Sequence, residues 1–140
     1  MKKALIAIRS RKGHTRKYGE EIGKYLRGKG LEIRIMDVGE LKTDHLRDVS
    51  FLFLGCWTSG LYIMLQHPDR VWINAINGVT IPENIKTGLF TTYKLATGSM
   101  FKAMKKHIPA LKDKTIPEWK SKNMVLSESD REALDLFIKD

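Results

Sequence analysis

The chain is poor in features that would staple, anchor or metallate it. One cysteine, Cys56, stands among 140 residues, which excludes an internal disulfide and fits a reducing compartment. One cysteine and four scattered histidines make no C-x-x-C zinc spacing, so no metal is expected. No apolar run approaches the roughly 18–20 residues that span a bilayer, so no membrane segment is expected. The opening "MKKALIAIRSRKG" imitates a secretory signal. However, its apolar run, Ala4 to Ile8, is shorter than the ~7–15 residues of an h-region, and no small-residue cleavage site follows. Repeats, low-complexity tracts and interdomain linkers are absent as well. The expectation is one cytoplasmic domain over residues 1–140, long enough to bury a core unaided.

Acid is also scarce where the chain begins. Lys2, Lys3, Arg9, Arg11, Lys12, Arg16 and Lys17 all precede the first acidic residue, Glu20, in a chain of net charge +9. Such an excess favours nucleic acid, an anionic cofactor or an acidic protein face, whereas evenly spread charge would serve solubility alone.

Short apolar runs alternate with amphipathic segments. "KALIAI" (3–8) suits a central parallel strand covered on both faces. Tyr18, Ile22, Tyr25 and Leu26 form one stripe of a helix from Thr15 to Arg27, which the glycines of "RGKG" (27–30) end. "LEIRIMDV" (31–38) alternates like an edge strand, and "GELKTDHLRD" leaves room for a turn or two of helix. "VSFLFLGC" (49–56) is the most apolar strand. Pro68 fits the first turn of a helix to Asn77 with Val71, Trp72, Ala75 and Ile76 inward. "KTGLFTT" (86–92) reads as a strand, and Ser99 can cap a helix through Lys106 that buries Met100 or Phe101, Met104 and Ile108. Residues 109–126 hold at most a short edge strand, at Thr115–Ile116 or Met124–Leu126. "SESD" (127–130) opens a last helix with Leu134, Phe137 and Ile138 as its stripe. This alternation predicts an α/β three-layer sandwich with a five-stranded parallel sheet in order 2-1-3-4-5. Ligands of such sheets bind beyond the carboxyl ends of the central strands.

Three loops meet there. "SRKGHT" (10–15) has hydroxyls at Ser10 and Thr15 and a glycine, Gly13, that permits positive φ. Amides from Lys12 to Arg16 can converge at the helix start as an anion nest. The loop lacks Walker A spacing, and a plain charged turn is the other reading. "GCWTSG" (55–60) offers Trp57 as one wall of a planar-ligand site or as a core residue. "TTYKLATGSM" (91–100) places Tyr93 one strand over, as a second wall or a half-buried tyrosine. Two aromatics beside a phosphate nest suit a flat ligand with a phosphate tail.

These residues resemble the flavodoxin family, whose phosphate loop is an apolar strand followed by [ST]-x-[ST]-G-x-T. Ser10, Gly13 and Thr15 match that pattern, while Lys12 replaces the middle hydroxyl and His14 the usual Asn. The similarity continues through "FLFLGCWTSG", "KTGLFTTYKLATGSM" and "SKNMVLSESDREALDLF". It implies a flavodoxin-like fold with flavin mononucleotide (FMN) as cofactor. Ser10, Arg11, Lys12, Gly13, His14 and Thr15 would hold the phosphate. Cys56, Trp57, Thr58, Ser59 and Gly60, with Thr92, Tyr93, Lys94, Thr97 and Gly98, would bracket the ring, stacked by Trp57 and Tyr93. The resemblance also implies that a peptide near the flavin can flip on reduction, with Gly60 or Gly55 making the flip cheap. Typical members are acidic, and this chain is basic.

The function expected is an FMN-binding electron carrier between redox partners, one of them an acidic protein, with no side-chain acid, base or nucleophile required. The alternatives are an NAD(P)H-dependent FMN or quinone reductase, and a flavodoxin-fold binding module that lacks FMN. Nucleic acid is disfavoured, because aromatics are not interleaved with the basic run. Cys56 is read as a small buried residue before a reactive thiol. "LYIMLQHPDRV" (61–71) could cover the flavin, form a dimer contact or lead into the helix.

Overall fold

Five parallel strands in the order β2-β1-β3-β4-β5 form the centre of the molecule. The computed structural model describes residues 1–58, 68–94, 97–112 and 114–139. Strand β1 (Lys3–Arg9) leads into helix α1 (His14–Gly28), then β2 (Glu32–Asp37) and two single 3-10 turns, Val38–Glu40 and Thr43–Leu46. Strand β3 (Phe51–Cys56), α2 (Arg70–Asn77), β4 (Lys86–Thr92), α3 (Met100–Lys106), β5 (Glu118–Ser121) and α4 (Glu128–Ile138) follow.

Every residue of β3 is buried, because the strand lies mid-sheet and is covered on both faces. On one face, Tyr18, Ile22 and Leu26 of α1 and Leu134 and Phe137 of α4 pack on Ile6, Ile8, Phe53 and Phe90. On the other, Trp72 and Ile76 of α2 and Met100, Phe101 and Met104 of α3 pack on Leu5, Leu52, Leu54 and Leu89. The two helices of the first face are also tied by polar bonds. Tyr18 Oη donates to Asp130 Oδ2 (3.0 Å) and Tyr25 Oη to Asp135 Oδ1 (2.8 Å). Burial, reinforced by Asp130, pushes the Tyr18 hydroxyl far above its ordinary pKa, so it stays a donor.

Three expectations are corrected. The fifth strand lies at 118–121, not at Thr115–Ile116 or Met124–Leu126. As an edge strand it buries only alternate residues, Trp119 and Ser121, and Trp119 fits over Gly88, where a Cβ would stand 2.5 Å from the indole. Helix α2 is capped by Asp69, whose carboxylate accepts from Val71 N (2.7 Å), so Pro68 precedes the cap and is not in the first turn. That start turns Val71 outward, 42% exposed, while Trp72 and Ile76 face the core. Helix α4 begins as expected, with Ser127 and Asp130 each accepting from the other's backbone N–H.

One buried hydroxyl is a liability. Thr87 is 6% exposed, and its Oγ1 has no hydrogen-bond partner among the described residues. Replacing an unsatisfied buried hydroxyl with a methyl removes a desolvation cost of about 1 kcal/mol. Thr87→Val is therefore expected to raise Tm by about 3 °C; a lower Tm would show that the hydroxyl has a partner.

Candidate functional site

Because the sheet is wholly parallel, β1, β3 and β4 deliver Arg9, Cys56 and Thr92 to one rim. Trp57 N donates to Arg9 O (3.0 Å), and Thr58 N to Thr92 O (3.3 Å). These two bonds stitch the three strand ends together beyond the sheet.

The first loop turns at Gly13, which has φ 86° and ψ −5° and is the N-cap residue of α1. Any other L-residue is strained there, although an added Cβ would meet nothing within 4 Å. The first turn of a helix leaves N–H groups without intrahelical acceptors. Ser10 Oγ takes one of them, from Arg16 N (3.2 Å), and Lys17 N reaches Gly13 O (3.0 Å). Arg11, Lys12, His14, Arg16 and Lys17 all stand exposed around that turn. The result is an open, cationic helix start.

Thr15 faces the other way. It is fully buried, and its hydroxyl pairs with that of Thr92 (2.7 Å), joining α1 to the end of β4. One proton of this pair is spent between the two oxygens, so one remains to donate elsewhere. Thr58 is similarly engaged. The Thr91 hydroxyl donates to Cys56 O, so Thr58 Oγ1 is the donor in its 2.8 Å contact with Thr91 Oγ1.

The two aromatics flank this threonine ladder. Trp57 is half-buried beneath the Arg11 guanidinium, 5.1 Å from its ring, which joins the first and second loops. Its Nε1 is buried and has no acceptor among the described residues. Tyr93 is half-buried on the β5 side, with Lys122 Nζ 5.7 Å from its ring and its N–H donating to Ser121 O (3.2 Å). Lys94 is exposed, Thr97 is buried, and Gly98 is exposed with φ 49°. Ser59 and Gly60, and the segment 61–67, lie outside the described residues.

Cys56 is fully buried, and desolvation pushes its thiol up to about 12. It accepts a 3.4 Å contact from Asp69 N and packs as a small core residue. Gly55, offered as a flip-permitting glycine, is needed for space: a Cβ there would stand 2.1 Å from the Phe90 ring, and its φ is not positive.

Asp69 and Thr91 were not singled out in the sequence. Asp69 Oδ1 accepts from Arg9 Nε (3.2 Å) in a largely buried ion pair, clamping the start of α2 to the end of β1. An Asp immediately before an apolar-periodic run was the available signal for Asp69. Thr91 carried none, because its partners are 33 and 35 residues away.

No family model matches the chain, and no curated protein sequence matches it. Solved structures do. Oxidised flavodoxin 2 from Bacillus cereus superposes with a TM-score of 0.68 at 17% identity, covering 96% of this chain and 94% of that one. Two-electron reduced Megasphaera elsdenii flavodoxin gives 0.65 at 17% identity over 96% and 95%. The rubredoxin oxygen:oxidoreductase of Desulfovibrio gigas gives 0.67 at 16% identity, covering 96% of this chain but 34% of that longer one. Among the described residues no helix is long and apolar enough to cross a membrane. With its 2-1-3-4-5 parallel sheet between two helical layers, the chain has the flavodoxin-like fold.

Proposed function

We propose that the protein binds FMN at this rim and carries electrons between redox partners. The observation that carries this reading is the convergence of an open cationic helix start at Gly13 with Trp57 at the neighbouring strand end, linked through Arg11. The residues suit the cofactor. Ser10, the first-turn amides and the nearby lysines and arginines match a phosphate dianion. Trp57 and Tyr93 would stack on the flavin, and Thr58 and Thr92 hold the strand ends between them. Flavodoxins among the solved structures of the same fold lend support.

Bound FMN would supply the electron chemistry, and the chain would orient and tune it. With Cys56 buried and protonated, the described residues of the rim offer no activated nucleophile. The surplus positive charge has a definite sign of effect. One cation ~10 Å from an anionic reduced flavin, at an effective dielectric of ~20, is worth about 1.7 kcal/mol before screening. That is about 70 mV for one electron. The reduction potential is therefore expected to be less negative than in acidic flavodoxins, and the difference is expected to shrink with salt. An unusually low potential in a redox titration would contradict this.

The cytoplasm is the proposed location, and an acidic redox protein the proposed partner. The purified protein is expected to show a flavin absorption band after FMN is added. Anaerobic NADPH should leave that band intact unless a reductase is present. Direct bleaching by NADPH would favour a reductase, and failure to take up FMN would favour a binding module.

A further inference from the structure

Positive charge is concentrated in a second place, away from the first loop. Residues 94–122 carry eight lysines and no arginine, against only Asp113 and Glu118. The fold gathers part of this charge into a cleft of about 520 Å³ lined by Thr97, Gly98, Phe101, Lys102, Lys105, Glu118 and Lys120. Its lining comes from α3, from the loop before it and from β5, the last strand, paired on one side only. Strand β5 turns Trp119 and Ser121 inward and leaves Glu118 and Lys120 exposed.

Lys105 Nζ donates to Lys114 O, which holds its charge at the cleft. Glu118 is the cleft's own counter-charge. Burial raises its pKa, while Lys105 and Lys120 pull it down. Lys102, Lys105 and Lys120 outnumber that one carboxylate, so the cleft remains cationic.

We propose that this lysine-lined cleft docks an acidic segment of a partner protein. The reading rests on the proposed carrier function in one respect: Thr97 and Gly98 belong to the loop after β4 that also carries Tyr93, so docking here brings the partner to the candidate flavin rim. The chemistry favours protein carboxylates over nucleic acid. Single-stranded nucleic acid is gripped by exposed aromatic platforms and arginine forks. Here Phe101, the one aromatic of the lining, is only 8% exposed, Trp119 is buried, and the segment lacks arginine. Lysines at an open cleft act as point charges that steer an acidic partner and release it readily.

The test uses the full chain and a fluorescein-labelled peptide of alternating Glu and Gly, read by fluorescence anisotropy in dilute buffer. An oligothymidine of similar charge is the comparison. The double variant Lys102→Gln/Lys120→Gln is expected to bind the peptide about tenfold more weakly, as two exposed charge pairs are removed. Lys24→Gln/Arg27→Gln, an equal charge change on exposed positions of α1, is expected to change it less than about twofold. Glu118→Gln is expected to tighten binding about threefold. Equal losses in the two double variants, no loss in the first, or no gain with Glu118→Gln would overturn the proposal. So would oligothymidine binding that exceeds the peptide's and depends on the same two lysines. FMN uptake by Lys102→Gln/Lys120→Gln is expected to equal that of the unaltered chain, and its loss would also overturn the docking role. If the unaltered chain takes up no FMN, the carrier reading fails, and the peptide data decide the cleft by themselves.

Discussion

Replacing Gly55 with alanine is expected to lower unfolding stability by about 3 kcal/mol or more, enough to unfold a marginal domain. Gly55 is buried in β3 opposite Ile8 on one side and Phe90 on the other. A Cβ at that point would stand 2.1, 2.2 and 2.7 Å from three atoms of the Phe90 ring. The ring has no easy escape. Phe90 is fully buried against Tyr18, with centroids 6.1 Å apart in an edge-to-face arrangement, and a Cβ at Gly19 would also meet it at 3.2 Å. Urea unfolding of Gly55→Ala is expected to show the loss as a lower midpoint, and Phe90→Leu added to it should recover part, because the two positions share one space. Near-wild-type stability of the single variant would show that the β3–β4 packing is wrong. The rim would then be wrong too, since Cys56 and Trp57 follow directly.

Trp57→Ala is expected to weaken FMN binding about thirtyfold. One indole face covers about 80 Å², and at ~25 cal/mol per Å² its loss is about 2 kcal/mol. Quenching of flavin fluorescence on binding is expected to fall as well, since stacking on an indole is its direct cause. Trp57→Phe should keep most of the affinity. Trp57 also packs against the cluster formed with α2 and α3, so the melting curve of each variant separates lost stability from lost binding. Unchanged affinity in Trp57→Ala would remove Trp57 from the flavin site and leave its ring to Arg11 alone.

Much of this architecture could be read from residue patterns, and the exceptions share a cause. Strands β1 and β3 announce themselves as apolar runs because they are covered on both faces, and β4 by β-branched threonines around Leu89 and Phe90. Helix α4 announces its start because Ser127 and Asp130 satisfy each other locally. Strand β5 does not, because an edge strand that buries one tryptophan and one serine is spelled Glu-Trp-Lys-Ser, like a loop. That the ends of β1, β3 and β4 meet at one rim was legible from topology, since alternating strands and helices dictate which strand ends lie together. The hydroxyl pairs were not. Thr15 meets Thr92 because α1 packs over the end of β4, and Thr58 meets Thr91 because the β3–β4 register sets them side by side, across separations of 77 and 33 residues. Local spacing carries no trace of that choice.

The most direct test is to titrate the protein with FMN and, separately, with riboflavin, which differs only in lacking the phosphate. FMN is expected to bind at one site per chain, with riboflavin at least about a hundredfold weaker, because several charge-assisted hydrogen bonds to the dianion are lost with it. Equal affinity for the two, or uptake of neither, would show that the turn at Gly13 does not hold a phosphate.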